Sequence, residues 1–103
     1  VIVPIGGGGL MAGVATAIKT LKPNIEIIGV QAKNYAAVKG AVEGHKVKTG
    51  GPTLAEGIAV KNPSKSAIDV IKQHVSRIET ATEAQIEEAV FDLISAEKLV
   101  VEG

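Results

Sequence analysis

The sequence predicts an α/β protein, a parallel sheet with flanking helices in three αβα layers, and three observations predict it. Short β-branched runs alternate with stretches whose apolar residues recur at helical spacing, the order that builds strand–helix–strand crossovers. The only aromatic residues are Tyr35 and Phe91, so the core must be filled by Ile, Val, Leu and Ala, as in sheets buried on both faces. Four consecutive glycines, Gly6 to Gly9, stand at the first strand-to-helix junction. Such junctions lie at the carboxyl edge of a parallel sheet, where ligands of α/β proteins bind.

Each element follows in order. Val1 to Pro4 is a β-branched run, and Leu10, Val14, Ala17, Ile18 and Leu21 then repeat with helical period until Lys22-Pro23-Asn24 stops them. Ile25 to Gln31 reads as a second strand, and Asn34 to Val42 as a second, alanine-rich helix. Glu43 to Pro63 holds glycines and prolines with no sustained period and reads as a long loop; loops of that length in a compact domain are usually functional. Ala67, Ile68, Ile71 and Val75 predict a third helix from Ser64, with Asn62 and Pro63 as cap and first-turn proline. Val75 to Thr80 reads as a strand. Thr82 and Gln85 form a capping-box pattern ahead of the clearest amphipathic stripe of the chain, Ile86, Ala89, Val90, Leu93 and Ile94. Leu99 to Val101 reads as the start of another strand.

Composition narrows the function. At 103 residues the chain suits one small domain with a single core. Eleven Lys plus Arg balance eleven Asp plus Glu without clustering, so no footprint for nucleic acid or an acidic membrane surface is present. Cysteine is absent, which removes disulfides, thiolate zinc sites and thiol nucleophiles and agrees with a cytoplasmic setting. The apolar runs are far shorter than the roughly 20 residues that span a bilayer.

The glycine run is the chemical signal. At the amino end of the first helix, unpaired backbone N–H groups and the positive end of the dipole face outward, and glycine lets an anion approach them. The dipole contributes roughly 0.3–1 kcal/mol and each charge-assisted hydrogen bond about 1.5–3, so several N–H donors would supply most of the grip on a phosphate. Glycines at such a junction can also simply form a turn, but four in succession point beyond turning. Gly13, further into the helix, reads as a residue that allows close packing on the sheet. A P-loop is excluded because no Gly-Lys-Ser/Thr tripeptide exists. Gly7, Gly9 and Ala12 satisfy the dinucleotide fingerprint, yet the carboxylate it expects about 20 residues on is replaced by Gln31. A freestanding phosphate- or dinucleotide-binding module without catalysis is therefore the alternative reading.

"PIGGGGLMAGVATAIK", "TLAEGIAVK" and "EAQIEEAVFDLISAEKLVVEG" together resemble the fold type II pyridoxal-phosphate enzymes, in particular the threonine ammonia-lyases (threonine dehydratases), with serine dehydratase and serine racemase as near relatives. The resemblance covers essentially the whole chain. It implies part of a Rossmann-like large domain whose tetraglycine loop cradles the phosphate of pyridoxal phosphate, here Gly6, Gly7, Gly8, Gly9 and the N–H of Leu10. It also implies that Gly57 passes the cofactor ring, Glu56 standing where the family has Asp. Glu102 of "VVEG" matches a glutamate near ring and substrate; an ordinary strand-end carboxylate is the equal alternative. The implied reaction is deamination of L-threonine or L-serine to a 2-oxo acid and ammonia, with the cofactor as electron sink at Cα. Isoleucine biosynthesis and threonine breakdown are the two roles such a lyase can serve.

The departures shape the rest. The family's Schiff-base lysine belongs to a Ser-x-Lys-x-Arg-Gly motif, and none of the lysines here matches it, so no catalytic residue is assigned. Residues 1–103 are read as one segment of the cofactor-binding domain, inactive alone, without the lysine-bearing part and the downstream strands. Some relatives hold a divalent cation through a Glu and an Asp whose places here fall on Gln31 and Ala37, so no metal site is expected. A homo-oligomer, or pairing with the remainder of the parent enzyme, is expected from the open sheet edges. His45, His74, Lys46 and Lys48 read as solvated, and Glu87, Glu88, Asp92 and Glu97 as the wet face of the last helix.

Overall fold

The computed structural model describes residues 1–103. Its elements are β1 (Ile2–Pro4), α1 (Gly9–Leu21), β2 (Ile28–Ala32), α2 (Ala37–Glu43), α3 (Lys65–His74), β3 (Arg77–Ala81) and α4 (Glu83–Ser95), with single 3₁₀ turns at Lys33–Tyr35 and Glu56–Ile58. The strands form one parallel sheet in the order β1-β2-β3, pairing Val3 with Gly29 and Gly29 with Ile78. This is the α/β class expected from the alternation of strands and helices. No helix is long and apolar enough to cross a membrane.

Strand parity decides where the core sits. Side chains alternate across a strand, so the register puts Val3, Gly29 and Ile78 on one face, with Ile5, Ile27 and Gln31 following the same parity. That face meets Met11 and Ala15 of α1, Val38 of α2 and Ile71 of α3 in one buried cluster. The other face carries Ile2, Pro4, Ile28, Val30, Arg77 and Glu79, none of them buried. Of the three expected layers, these residues build the sheet and one compact helical layer. The 16 Å thin dimension of the Cα envelope agrees, since one helix alone is about 10 Å across.

Several boundaries move, each for a local reason. β2 starts at Ile28 because Ile25 is used in the turn after α1, its N–H donating to Lys22 O at 3.1 Å. Lys19 closes that turn, its Nζ donating to Ile25 O at 2.7 Å. The second helix begins at Ala37 rather than Asn34, because Lys33–Tyr35 makes a 3₁₀ turn whose Tyr35 hydroxyl and Asn34 amide tie down the carbonyls of Gly51 and Pro52. α3 is capped by Ser64, whose Oγ accepts from Ala67 N, and not by Asn62 and Pro63. The third strand starts two residues later than expected and ends one later, at Ala81. The capping box of α4 is complete: Gln85 N donates to Thr82 Oγ1 at 3.2 Å and Thr82 N to Gln85 Oε1 at 2.9 Å.

Two expectations fail outright. Leu99 to Val101 is not a strand: Lys98 turns left-handed at φ 57 and Leu99 N donates back to Leu93 O, which takes the amide a ladder would need. Gly13 does not pack on the sheet; it is exposed, and a Cβ built there would meet nothing within 4 Å. The stripe on α4 is only half satisfied, with Ile86, Val90 and Leu93 half-buried while Ala89, Ile94 and Phe91 stay exposed.

Candidate functional site

The glycine run leaves β1 at its carboxyl end and enters α1 at Gly9. Its carbonyls all point into protein. Ile5 O and Gly6 O receive the side-chain amide of Gln31, at 3.2 and 3.5 Å. Gly7 O receives Ser64 N at 3.1 Å, and Gly8 O receives Ala12 N at 2.9 Å. In a planar trans peptide the C=O and the following N–H point in opposite directions. The amides of Gly6, Gly7, Gly8 and Gly9 are therefore turned the other way, and the first N–H in this stretch to find a protein acceptor is that of Ala12.

These amides border a cavity of about 230 Å³ lined by Pro4, Ile5, the four glycines, Leu10, Met11, Gly57 and Ile58. Whole-ligand pockets run from about 300 Å³ upward. The space thus suits one anionic group of a larger ligand. Gly57 is shared with a neighbouring cavity of about 120 Å³ that also contains Leu54, Glu56, Glu102 and Gly103. A Cβ at Gly57 would lie 3.8 Å from Glu102 Oε2. Gly6 through Leu10, Gly57 and Glu102, singled out in the sequence, are thereby gathered at one end of the sheet. Glu83 braces the far side of this group: its Oε2 accepts from Leu54 N at 2.9 Å, while its buried Oε1 has no partner.

The glycines have different causes. Gly8 caps α1 at φ 99, a conformation that L side chains rarely adopt, and a Cβ there would stand 2.9 Å from Ala67 Cβ. At Gly9 a Cβ would meet no protein atom within 4 Å. Packing does not require glycine at that position, whereas an anion seated on the helix amides does. Pyridoxal phosphate fits this cradle on two counts: unpaired donors at a helix amino end for its phosphate, and open space leading to Gly57 and Glu102.

A larger open cleft of about 760 Å³ lies between the Lys33–Ala36 segment, the His45–Gly51 loop and Thr80. Its rim includes Lys33, Lys39, His45 and Lys48. Two of these are already engaged, since Glu43 pairs with both Lys39 Nζ and His45 Nε2. Hydrogen bonds from Lys39 and then His45 hold the Glu43 carboxyl below its ordinary value. The lining of this cleft includes no run of glycines at the amino end of a long helix, which the smaller cup has at the start of α1. His45, Lys46 and Lys48 are exposed as expected, as are Glu87, Glu88, Asp92 and Glu97; His74 is half-buried. No group of three His, Cys, Asp or Glu side chains could hold a metal ion.

Sequence reasoning misses the residues that hold the loop's carbonyls, Gln31 and Ser64. Gln31 is the only buried polar side chain, fully enclosed, and its one signal is a lone amide inside the apolar run "IIGVQA". Ser64 falls at the helix start in both sequence and structure, but its backbone contact with Gly7 has no sequence signature.

Comparison with known proteins bears on the family and the fold. A family model described as pyridoxal-phosphate dependent enzyme matches residues 1–103. The chain is 38% identical to L-threonine ammonia-lyase of Thermotoga maritima over its whole length and 26% of that protein's. It is 42% identical to the L-threonine dehydratase catabolic TdcB of Staphylococcus aureus, of which it covers 30%. Among solved structures it superposes on the threonine deaminase of Solanum lycopersicum, isoform 2 in its processed form, with a TM-score of 0.85 and 32% identity, over 98% of this chain and 28% of that one. The chain thus spans between a quarter and a third of the length of these curated relatives.

Proposed function

The chain belongs to the family of pyridoxal-phosphate dependent enzymes, and on that premise we propose that it forms part of the cofactor-binding domain of a carbon–nitrogen lyase that deaminates L-threonine or L-serine. The observation that carries this reading is the set of amides from Gly6 to Leu10, free of protein acceptors beside a cavity at the carboxyl edge of the sheet. Gly6, Gly7, Gly8, Gly9 and the N–H of Leu10 hold the cofactor phosphate. Gly57 leaves room beside the ring, and Glu102 faces the same end of the site. When bound, the cofactor supplies an electron sink for the bonds at the substrate Cα.

The chain's own residues bind and orient. A phosphate dianion fixed by four or five N–H donors cannot swing, so the ring attached to it is held in one direction relative to Gly57. The names of the relatives support threonine or serine as substrate, both β-hydroxy amino acids. Residues 1–103 contain no lysine in the motif that binds the cofactor covalently, and that role belongs to another part of the parent enzyme, as do the remaining strands.

The 2-oxo acid product would serve isoleucine biosynthesis or threonine breakdown; the S. aureus relative is named catabolic. Isoleucine auxotrophy of a deletion strain separates the two roles. We read the parent as a cytoplasmic homo-oligomer with a small-molecule amino-acid substrate and no nucleic-acid or membrane partner, an assignment that size-exclusion chromatography and cell fractionation test. The main test is catalytic. The purified full-length protein, supplied with pyridoxal phosphate, is expected to release ammonia and a 2-oxo acid from L-threonine or L-serine. Absence of both products while the cofactor is bound would refute the substrate assignment.

A further inference from the structure

We propose that Gln31 is a positioning residue that aims the amides of Gly6 and Gly7 at the anion, an inference that rests on the glycine loop being the phosphate cup. Gln31 is fully buried. Its Nε2 donates to Ile5 O and Gly6 O, and its Oε1 accepts from Lys39 N at 2.9 Å. The orientation of the amide group is forced: only the NH₂ end can serve two carbonyls, and only the oxygen can accept an N–H. One side chain thus ties the carboxyl end of β1 to the first turn of α2.

The consequence for the loop follows from peptide planarity. Holding Ile5 O turns the Gly6 N–H away from Gln31, and holding Gly6 O does the same for the Gly7 N–H. Without these contacts the Gly6–Gly7 peptide would be free to flip, since glycine tolerates the φ and ψ of either orientation, and the Ile5–Gly6 peptide would be held on its Ile5 side alone. Gly7 O is held separately by Ser64 N, and Gly8 O by Ala12 N. Gln31 therefore governs the first two donors of the cup and leaves the next two to other partners.

Gln31→Leu removes both ends of the contact. Gln31→Glu keeps an acceptor for Lys39 N but sets a carboxylate oxygen against two carbonyl oxygens. The readout is the preference of the full-length protein for pyridoxal phosphate over pyridoxal, measured by absorbance titration. A merely structural residue would lower both affinities together. Both variants are expected to lose about tenfold of the preference, roughly the loss of one charge-assisted hydrogen bond, with pyridoxal affinity nearly unchanged. A retained preference, or a parallel fall for both ligands, would overturn the assignment. A wild-type protein with no preference would instead sink the cup itself. A measurement on the unaltered protein keeps the idea testable if the variants do not fold: inorganic phosphate is titrated while the amide resonances of Gly6 to Gly9 are followed. Shifts at Gly6 and Gly7 together with Gly8 and Gly9 support the inference, and shifts confined to Gly8 and Gly9 defeat it.

Discussion

Adjacent glycines in the cup should respond oppositely to the same substitution. Gly8→Ala places a methyl group 2.9 Å from Ala67 Cβ and 3.2 Å from Ile71 Cδ1, at a residue whose φ is 99. The left-handed backbone costs an ordinary residue about 1–2 kcal/mol. Overpacking against α3 adds about 1–3 kcal/mol. For a domain of this size each kcal/mol lowers the melting temperature by about 4–8 °C, so the lower end of these costs, about 2 kcal/mol, already means a drop of at least about 8 °C for Gly8→Ala. Gly9→Ala meets no protein atom within 4 Å and should change stability by no more than about 0.5 kcal/mol. Its methyl group intrudes where the anion must approach. Losing one charge-assisted contact there costs about 1.5–3 kcal/mol, a weakening of roughly 10- to 150-fold in phosphate-dependent affinity. Thermal unfolding followed by circular dichroism reads the first quantity and pyridoxal phosphate titration the second. Equal melting temperatures for the two variants, or full affinity in Gly9→Ala, would refute the division between a packed glycine and a ligand-facing one.

Other expectations follow from single contacts. Thr82→Ala breaks one half of the capping box and should cost about 0.5–2 kcal/mol, read as faster hydrogen exchange at the first-turn amides of α4, Gln85 above all. Chelation with EDTA should leave cofactor affinity and melting temperature unchanged, because Gln31 directs an NH₂ at the nearby carbonyls and Ala37 offers no ligand; a loss restored by magnesium or calcium would contradict this. Glu43 titrates below its ordinary value, so its contribution to stability is fully present above the normal carboxylate range and fades as pH falls through the lowered one. Glu43→Gln should abolish that acid-side slope in urea unfolding, and the effect should be small because the pair is solvated.

What can be read in advance is whatever rests on period and local chemistry. α1, α4 with its capping box, and the glycine junction follow from side-chain spacing and from motifs a few residues long. The failures have tertiary causes. Leu99 to Val101 has strand composition, but composition cannot tell that the Leu99 amide is taken by Leu93 O across the end of α4. Asn62-Pro63 is a reasonable helix start, yet Ser64 faces the Gly7 carbonyl through its own N–H and its hydroxyl serves Ala67. Gly13 stands inside a helix beside a sheet, a place that suggests packing, and the rotation of α1 instead turns it to solvent. The tetraglycine marks the site without showing what orients it. That information resides in pairs 25 or more residues apart, such as Gln31 with Ile5 and Ser64 with Gly7.

These distant pairs share one feature, which explains why so thin a slab can hold an anion cup in shape. Gln31, Ala67 and Ile71 all lie among the buried residues, and Ser64 opens the helix that carries Ala67 and Ile71. A Cβ at Gly6 would sit 3.1 Å from Ile58 Cα, so the Glu56–Ile58 turn presses on the loop from the other direction. The side chains of Ile2, Ile28 and Val30, which have the opposite parity, take no part in any of these contacts. The loop's carbonyls are drawn toward the packed side by Gln31, Ser64 N and Ala12 N, and of these donors the fully buried Gln31 amide would be left unpaired if its contacts were lost, at about 1–3 kcal/mol. The amides are then left outward by the covalent geometry of the peptide rather than by any contact of their own. On the proposed reading such a cup is ready for an anion before one arrives, and the expected selectivity rests on the inward bonds as well as on the glycines that line it.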